Sequence, residues 1–281
     1  MELLLPRTLY VVATPIGNLE DMTFRSLRIL RSVHVIAAED TRHTGKLLQH
    51  FQITTPQISY HEHNCRQRIP QLIERLERGE TIALVTDAGV PGISDPGLEL
   101  VQACVEAQLT VIPIPGATAV ITALSAAGLA TERFVFEGFL PAKAKARQAH
   151  LHTLVQETRT LVFYESPHRL RETLDDLAHT FGNDRPLVLA RELTKLHEEF
   201  WRGTIAQAQA HYQTQDPQGE YTIVVAGAVL QTPTLSEEHL LQELESLIAQ
   251  GLSRSESCRQ LAEATQLSRR DLYQLSLRIQ A

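Results

Sequence analysis

The densest chemistry in the sequence follows an apolar run at residues 81–86, where Asp87-Ala88-Gly89-Val90-Pro91-Gly92-Ile93-Ser94-Asp95-Pro96-Gly97 gathers three glycines, two prolines and two aspartates in eleven residues. Glycine lets the backbone approach a ligand and proline fixes the path of the loop. An aspartate ending a buried strand can accept a hydrogen bond from a ribose hydroxyl or an amino group, so a ligand site is the better reading of this loop. A second joint, Ile114-Pro115-Gly116-Ala117-Thr118-Ala119, brings a helix start towards the same cleft. The loop after the first strand, Thr14-Pro15-Ile16-Gly17-Asn18, has neither the G-x-G-x-x-G spacing nor a Lys-Ser/Thr pair. It therefore does not hold a nucleotide polyphosphate.

Four further clusters carry charge. Glu39-Asp40-Thr41-Arg42-His43 reads equally as a capped helix start or as a cleft wall with Arg42 facing an anion. His61-Glu62-His63-Asn64-Cys65 offers three metal-ligating residue types, but ligands two apart share a face only in a strand, and no distant partner pair accompanies them. Substrate contact by His61 or Asn64 is the reading adopted, and no metal is expected. Glu165-Ser166-Pro167-His168-Arg169 follows one strand, and Arg191-Glu192-Leu193-Thr194-Lys195 with His197-Glu198-Glu199 follows another. Within a strand, Arg191, Leu193 and Lys195 would share a face. Charge runs are commonly solvated ion pairs, yet two of them at strand ends favour a substrate wall.

The elements that must position these residues alternate. Runs at 8–13, 33–37, 81–86 and 109–114 read as strands, with helical periodicity at 22–31, 69–78 and 96–107. That rhythm predicts an α/β layer with a largely parallel sheet buried on both faces. Runs at 134–139, 160–164, 187–192 and 221–229 predict a second α/β domain with a mixed sheet. From Leu235 onwards the pattern is wholly helical, as either a helix-turn-helix or a helical cap. The expected division is an N-terminal α/β domain at 1–115, a second α/β domain at 116–231 and a helical tail at 232–281.

With 43% hydrophobic and 21% charged residues, the 281-residue chain can bury cores of this kind. Its three separated cysteines suit a reducing compartment, and no signal peptide or membrane span is read, so a cytoplasmic location is expected. The net charge of −7 argues against a non-specific nucleic-acid coat. Attraction to an anion must come from local clusters: Arg25, Arg28 and Arg31; Lys143, Lys145 and Arg147 in a stretch that reads as mobile; and Arg254, Arg259, Arg269, Arg270 and Arg278 in the tail.

The succession TPIGNLEDMTFR, AEDTRHT, TDAGVPGISDPG, PIPGATAVITALSAAGL, LVFYESPHRL and RELTKLHEEFWRG resembles the tetrapyrrole (corrin/porphyrin) methylase superfamily. Within it, the chain is similar to the ribosomal RNA small-subunit methyltransferase I branch, from Tyr10 to about Gly227 and again in the helical tail. The resemblance implies a two-domain fold with an interdomain cleft for S-adenosylmethionine, a homodimer, and 2′-O-methylation of a cytidine in the decoding region of 16S rRNA, naked or in the 30S subunit. It implies cofactor contacts at Ile16, Asp87, Val90, Thr118, Ala119 and Tyr164, with backbone room at Gly89 and Gly116. For a ribose hydroxyl acceptor, Glu165, His168, Lys195 and Glu198 are the candidate bases and Arg191 a stabiliser of negative charge. Arg42, His61, Asn64 and Arg169 are the expected substrate contacts. Two rivals remain: another methylase of the superfamily acting on a corrinoid or a protein, and a ligand-sensing regulator whose tail reads DNA.

Overall fold

The computed structural model describes residues 4–229, 236–265 and 267–279. The chain divides into two compact units, Met1–Ala228 and Val229–Ala281.

The first unit contains two five-stranded sheets. Strands β1 (Thr8–Val12), β2 (Val35–Ala38), β3 (Gln57–Ser59), β4 (Thr81–Val85) and β5 (Thr110–Ile114) pair in the order β3-β2-β4-β1-β5, all parallel. The apolar runs are explained by burial on both faces. Tyr10, Val12, Ile36, Ala38, Ala83 and Val85 point to one side, and Leu9, Val11, Val35, Ala37, Ile82 and Leu84 to the other. Helices α1 (Phe24–Ser32) and α2 (Thr41–His50) cover the first face through Ile29, Leu30, Leu47 and Leu48. Helices α3 (Cys65–Glu77) and α4 (Leu98–Glu106) cover the second through Leu72, Leu76, Leu100 and Cys104. Each buried aliphatic side chain contributes about 1.5–3 kcal/mol.

Helix α5 (Ala119–Ala127) leads to the second sheet, in which β6 (Phe134–Phe139), β7 (Thr160–Glu165), β8 (Pro186–Arg191), β9 (Glu199–Thr204) and β10 (Tyr221–Val225) run β6-β7-β10-β8-β9. Only β6 and β7 are parallel, so the sheet is mixed. One face packs on α6 (Ala144–Thr153), α7 (Leu170–Phe181) and α8 (Ile205–Thr214). Among the described helices, α5 alone packs on the other, through Val120, Ala123, Leu124 and Ala127, with Ile16, Leu129 and Leu193 beside it.

Two sequence expectations are corrected here. The stretch at 142–150 is no mobile basic arm, because most of it is α6. Arg147 is 2% exposed and its guanidinium pairs with Asp176 at 2.6 Å and Glu172 at 3.2 Å. Nor do Arg191, Leu193 and Lys195 share a strand face. Strand β8 stops at Arg191, and Glu192 and Thr194 take φ of 50° and 66°, which turns the chain.

The second unit comprises α9 (Glu237–Ala249), α10 (Arg254–Thr265) and α11 (Arg269–Ser276) around Leu240, Leu244, Cys258, Leu261, Leu272 and Leu275. Ser236 caps α9 by accepting from the His239 backbone N–H. The boundary read at 231/232 and the helical start at Leu235 lie outside the described residues.

Candidate active site

In an open parallel sheet, the crevice forms where neighbouring strands send their connections to opposite faces. Here β4 stands at such a point, because the chain leaves its neighbours β1 and β2 for α1 and α2 on one face and leaves β4 for α4 on the other. The β1 and β4 loops are tied together. Thr14 and Gly89 exchange backbone hydrogen bonds at 2.9 and 3.1 Å, and the Thr14 hydroxyl donates to the Thr86 carbonyl at 3.1 Å. Gly89 sits at φ +84°, which a side chain would strain.

Two adjoining cavities open there. The first, about 390 Å³, lies between the β4 loop and the sparsely covered face of the second sheet. Its apolar walls include Ile16, Val90, Ile93, Phe139, Tyr164 and Leu193, and its polar ones Ser94, Asp95, Thr118 and Glu165. A bulge at Phe136/Gly138 turns β6 beside the cavity, and Phe139 and Phe136 pack their rings 5.5 and 4.9 Å from that of Tyr164. Ser94, whose hydroxyl lies close to Gly138 of that bulge, holds φ +64°, backbone strain of the sort that gathers at ligand sites. Burial first, then the nearby charges of Glu39 and Asp87, push the Asp95 carboxyl up to about 6.

The second cavity, about 540 Å³, is bounded by the β1 loop, the first turns of α2, residues 86–88 of the β4 loop, and Lys195 with Glu220. Four residues line both cavities: Ile16, Ala88, Lys195 and Glu220. The Lys195 ammonium donates to Glu192 at 2.8 Å and to Glu220 at 2.6 Å. Burial opposes its charge, but the two carboxylates outweigh that and hold it above its ordinary range. Gly17 makes this approach possible, since a side chain there would collide with Lys195 and Thr194.

The tetrapyrrole (corrin/porphyrin) methylases match the chain over residues 8–209. A ribosomal RNA small subunit methyltransferase I of Synechocystis sp. is 61% identical, covering 97% of this chain and 98% of that protein. A protein of the same name from Halalkalibacterium halodurans is 48% identical, covering 95% and 94%. The chain belongs to the tetrapyrrole methylase family, in the branch of these relatives. In fold it also resembles a uroporphyrin-III C-methyltransferase from Thermus thermophilus complexed with S-adenosyl homocysteine. That likeness has a TM-score of 0.55 and 17% identity, and covers 78% of this chain and 96% of that one.

In this methylase, six of the residues expected at a cofactor line the first cavity: Ile16, Gly89, Val90, Thr118, Ala119 and Tyr164. Asp87 lines the second cavity instead, its Oδ1 accepting from the Asp40 backbone N–H at 3.2 Å. Gly116 lines neither; a Cβ there would stand 2.7 Å from that of Ala13, so it lets two segments cross.

Of the candidate catalytic residues, Glu165 and Lys195 reach the first cavity. Glu165 is buried, accepting from the Thr173 hydroxyl at 2.6 Å and the Ser166 backbone N–H at 2.7 Å. His168, Arg191 and Glu198 line neither cavity. Arg191 donates to Glu199 and to the Gln218 carbonyl, while Glu198 accepts from the Thr194 backbone N–H, so both hold turns. Arg42, His61, Asn64 and Arg169 also lie outside the cavity walls. Arg42 grips Asp40, the cap of α2. Asn64 stitches His61 and Ser59 together ahead of α3, and Arg169 donates to the Leu140 carbonyl at 2.7 Å. Among the described residues, no group of three His, Cys, Asp or Glu side chains is arranged to hold a metal ion.

Asp95 and Glu220 were not among the residues expected at the site. Asp95 stood within the loop already quoted, so its spacing from Asp87 was available as a signal. Glu220 carried none, because its partner Lys195 lies 25 residues away and the pair forms only when the chain folds.

Proposed function

We propose that this methylase transfers the methyl group of S-adenosylmethionine to the 2′-hydroxyl of a cytidine in the decoding region of 16S rRNA, as a cytoplasmic homodimer. The rRNA substrate rests on the name and near-full-length similarity of the relatives from Synechocystis and Halalkalibacterium. The observation that carries the chemistry is the wall shared by two cavities, where a donor and an acceptor can meet.

The first cavity suits the cofactor. Its volume is in the range of small-molecule sites, its aromatic pair offers a face to a cation, and Asp95 supplies the opposite charge. Ile16, Val90 and Tyr164 would hold the apolar parts, and Thr118 would offer a hydroxyl. When bound, S-adenosylmethionine supplies an electrophilic methyl group on a sulfonium.

The chain's own contribution is placement and charge. In-line displacement gains chiefly from holding the two reactants in register, a task for the tied Thr14–Gly89 loops. Lys195 is kept protonated, so it cannot take the ribose proton; its ammonium steadies the oxygen as negative charge develops. Glu220, on the same shared wall, is the carboxylate positioned to accept that proton. Glu165 is a positioning residue, since Thr173 and Ser166 already use its oxygens.

The deciding experiment incubates labelled S-adenosylmethionine with 16S rRNA lacking the modification, naked and in 30S particles, followed by nucleoside analysis. Label in 2′-O-methylcytidine is the expected result. Label in another nucleoside, or in none with either substrate, would overturn the proposal.

A further inference from the structure

The two helices that cover the first face of the first sheet carry charge of one sign. Helices α1 and α2 together hold Arg25, Arg28, Arg31, Arg42 and Lys46 and no aspartate or glutamate. Helices α3 and α4, on the opposite face, hold three arginines against four glutamates, and the stretch from Ser236 to Ile279 holds five arginines against seven carboxylates. In a chain of net charge −7, the basic excess is therefore local to one face. Helix geometry turns it outward. In α1, Phe24, Arg28 and Arg31 fall at i, i+4 and i+7, on the side away from the buried Ile29 and Leu30, with Arg25 on the flank. In α2, Arg42, Lys46 and Gln49 lie away from the buried Thr44, Leu47 and Leu48 in the same way. Asp40 neutralises Arg42. Among the described residues, however, no carboxylate lies within ion-pair distance of Arg25, Arg31 or Lys46, Glu20 and Asp21 ahead of α1 included. Arg31 donates to the carbonyl of Phe51, the C-cap of α2, at 2.9 Å, which leaves its charge intact and ties the ends of the two helices together.

At the head of this face stands Phe24, 93% exposed. One exposed apolar side chain is ordinary on a protein surface; what sets Phe24 apart is its company and its place. Strands β1, β2 and β4 are parallel, so α1 and α2 run back against them and both begin at the carboxyl edge of the sheet, the edge that carries the site. Leu19, five residues before Phe24, already lines the second cavity. An aromatic ring flanked by arginines is how proteins hold single-stranded nucleic acid, the ring stacking on a base and the cations meeting phosphates. We propose that the outward faces of α1 and α2 dock single-stranded RNA beside the target: the base of a flanking nucleotide stacks on Phe24, and the backbone follows Arg25, Arg31 and Lys46. The proposal rests on the rRNA-methylation reading and adds to it a surface, outside both cavities, that grips the substrate. A single strand fits because only an unstacked base can offer its flat face to a side chain. A second copy of the chain fits poorly, since a two-fold contact through this face would set arginine against arginine.

The test measures binding of full-length protein to undermethylated 16S rRNA across a range of salt. Both side chains to be changed are exposed, so the variants should fold. Phe24→Ala should raise the Kd for RNA about tenfold, within the range for losing one stacked base, and leave the salt slope as it was. Its Kd for S-adenosylhomocysteine, read by calorimetry, should stay within about twofold of the unaltered protein. Phe24→Trp should restore RNA affinity and Phe24→Leu should not. Arg25→Gln should flatten the log–log salt slope by about 0.7, the value for one phosphate on a single strand. Unchanged RNA affinity in Phe24→Ala with an unchanged slope in Arg25→Gln would overturn the proposal. So would full rescue by leucine, which would make Phe24 a plain apolar contact. A change in sedimentation of Phe24→Ala without loss of RNA affinity would assign the face to a second copy instead. Absence of rRNA methylation by the unaltered protein would refute the underlying reading, a result separable from these because every arm here reads binding.

Discussion

Glu220 and Lys195 concentrate the chemistry proposed for this methylase into two side chains. Replacing Glu220 with glutamine removes the proton acceptor and loosens the hold on Lys195. We expect kcat to fall by about 10²-fold, the low end for a general base, with little change in RNA KM; single-turnover methylation checks it. Asp95 gives a pH signature. Its folded pKa of about 6 lies above the unfolded value near 3.9, so the stabilisation from its neutral form is present at low pH and is lost as pH rises through about 6. A sulfonium held nearby favours the ionised form, so cofactor affinity should rise with pH across the same interval. Asp95→Asn should flatten that rise; calorimetry between pH 5 and 7.5 tests it, and an equal pH dependence in both proteins would separate Asp95 from the cofactor. Six of the eight residues that the family resemblance implied at the cofactor line the first cavity; the constrained loops by themselves pointed to a ligand cleft, but not to Tyr164, which stands on β7. The charged motifs were harder to place. Arg42, Arg191 and Glu198 have residue types fit for chemistry, but the fold spends them on caps and turns.

At the scale of elements, the strands of the first sheet were legible because burial on both faces leaves an unbroken apolar run. Helix α6 was not. Its sequence AKARQAHLHT has little amphipathic pattern, and it is held by Leu151 and by one buried arginine whose acidic partners lie on α7, 25 and 29 residues away. Arg147→Ala would leave Asp176, itself 7% exposed, without its charge partner. A loss of about 3 kcal/mol is expected, the low end for breaking a buried ion pair, and urea unfolding would measure it. Gly17 offers a contrasting test in the β1 loop. Gly17→Ala must push Lys195 aside, so turnover should drop at least about tenfold while the unfolding midpoint scarcely moves, methyl transfer being sensitive to small misplacements.

At the scale of the whole chain, the helical unit has its own small core, and several of its arginines are already engaged. Arg254 donates to the Ile279 carbonyl, Arg269 to Ser255, and Arg278 pairs with Glu237. The basic character read from the sequence is thereby reduced, with Arg259 and Arg270 the exposed arginines left as candidates to meet phosphate. Truncation after residue 230 should preserve cofactor binding and lower rRNA affinity, with a shallower salt slope. Equal affinity and slope in both proteins would make this unit a structural cap.

The wall common to the two cavities carries a thermodynamic consequence. Because Ile16, Ala88, Lys195 and Glu220 border both spaces, whatever fixes their positions from one side alters what the other side meets. Such coupling is reciprocal: if cofactor tightens RNA binding by some factor, RNA must tighten cofactor binding by the same factor. Once the methyl group has moved, the spent cofactor has lost its positive charge, and the new methyl group stands against that same wall. Both products then press on a partition set for the reactants, so their release should be mutually assisted, and turnover at high substrate would be paced by whichever product leaves first.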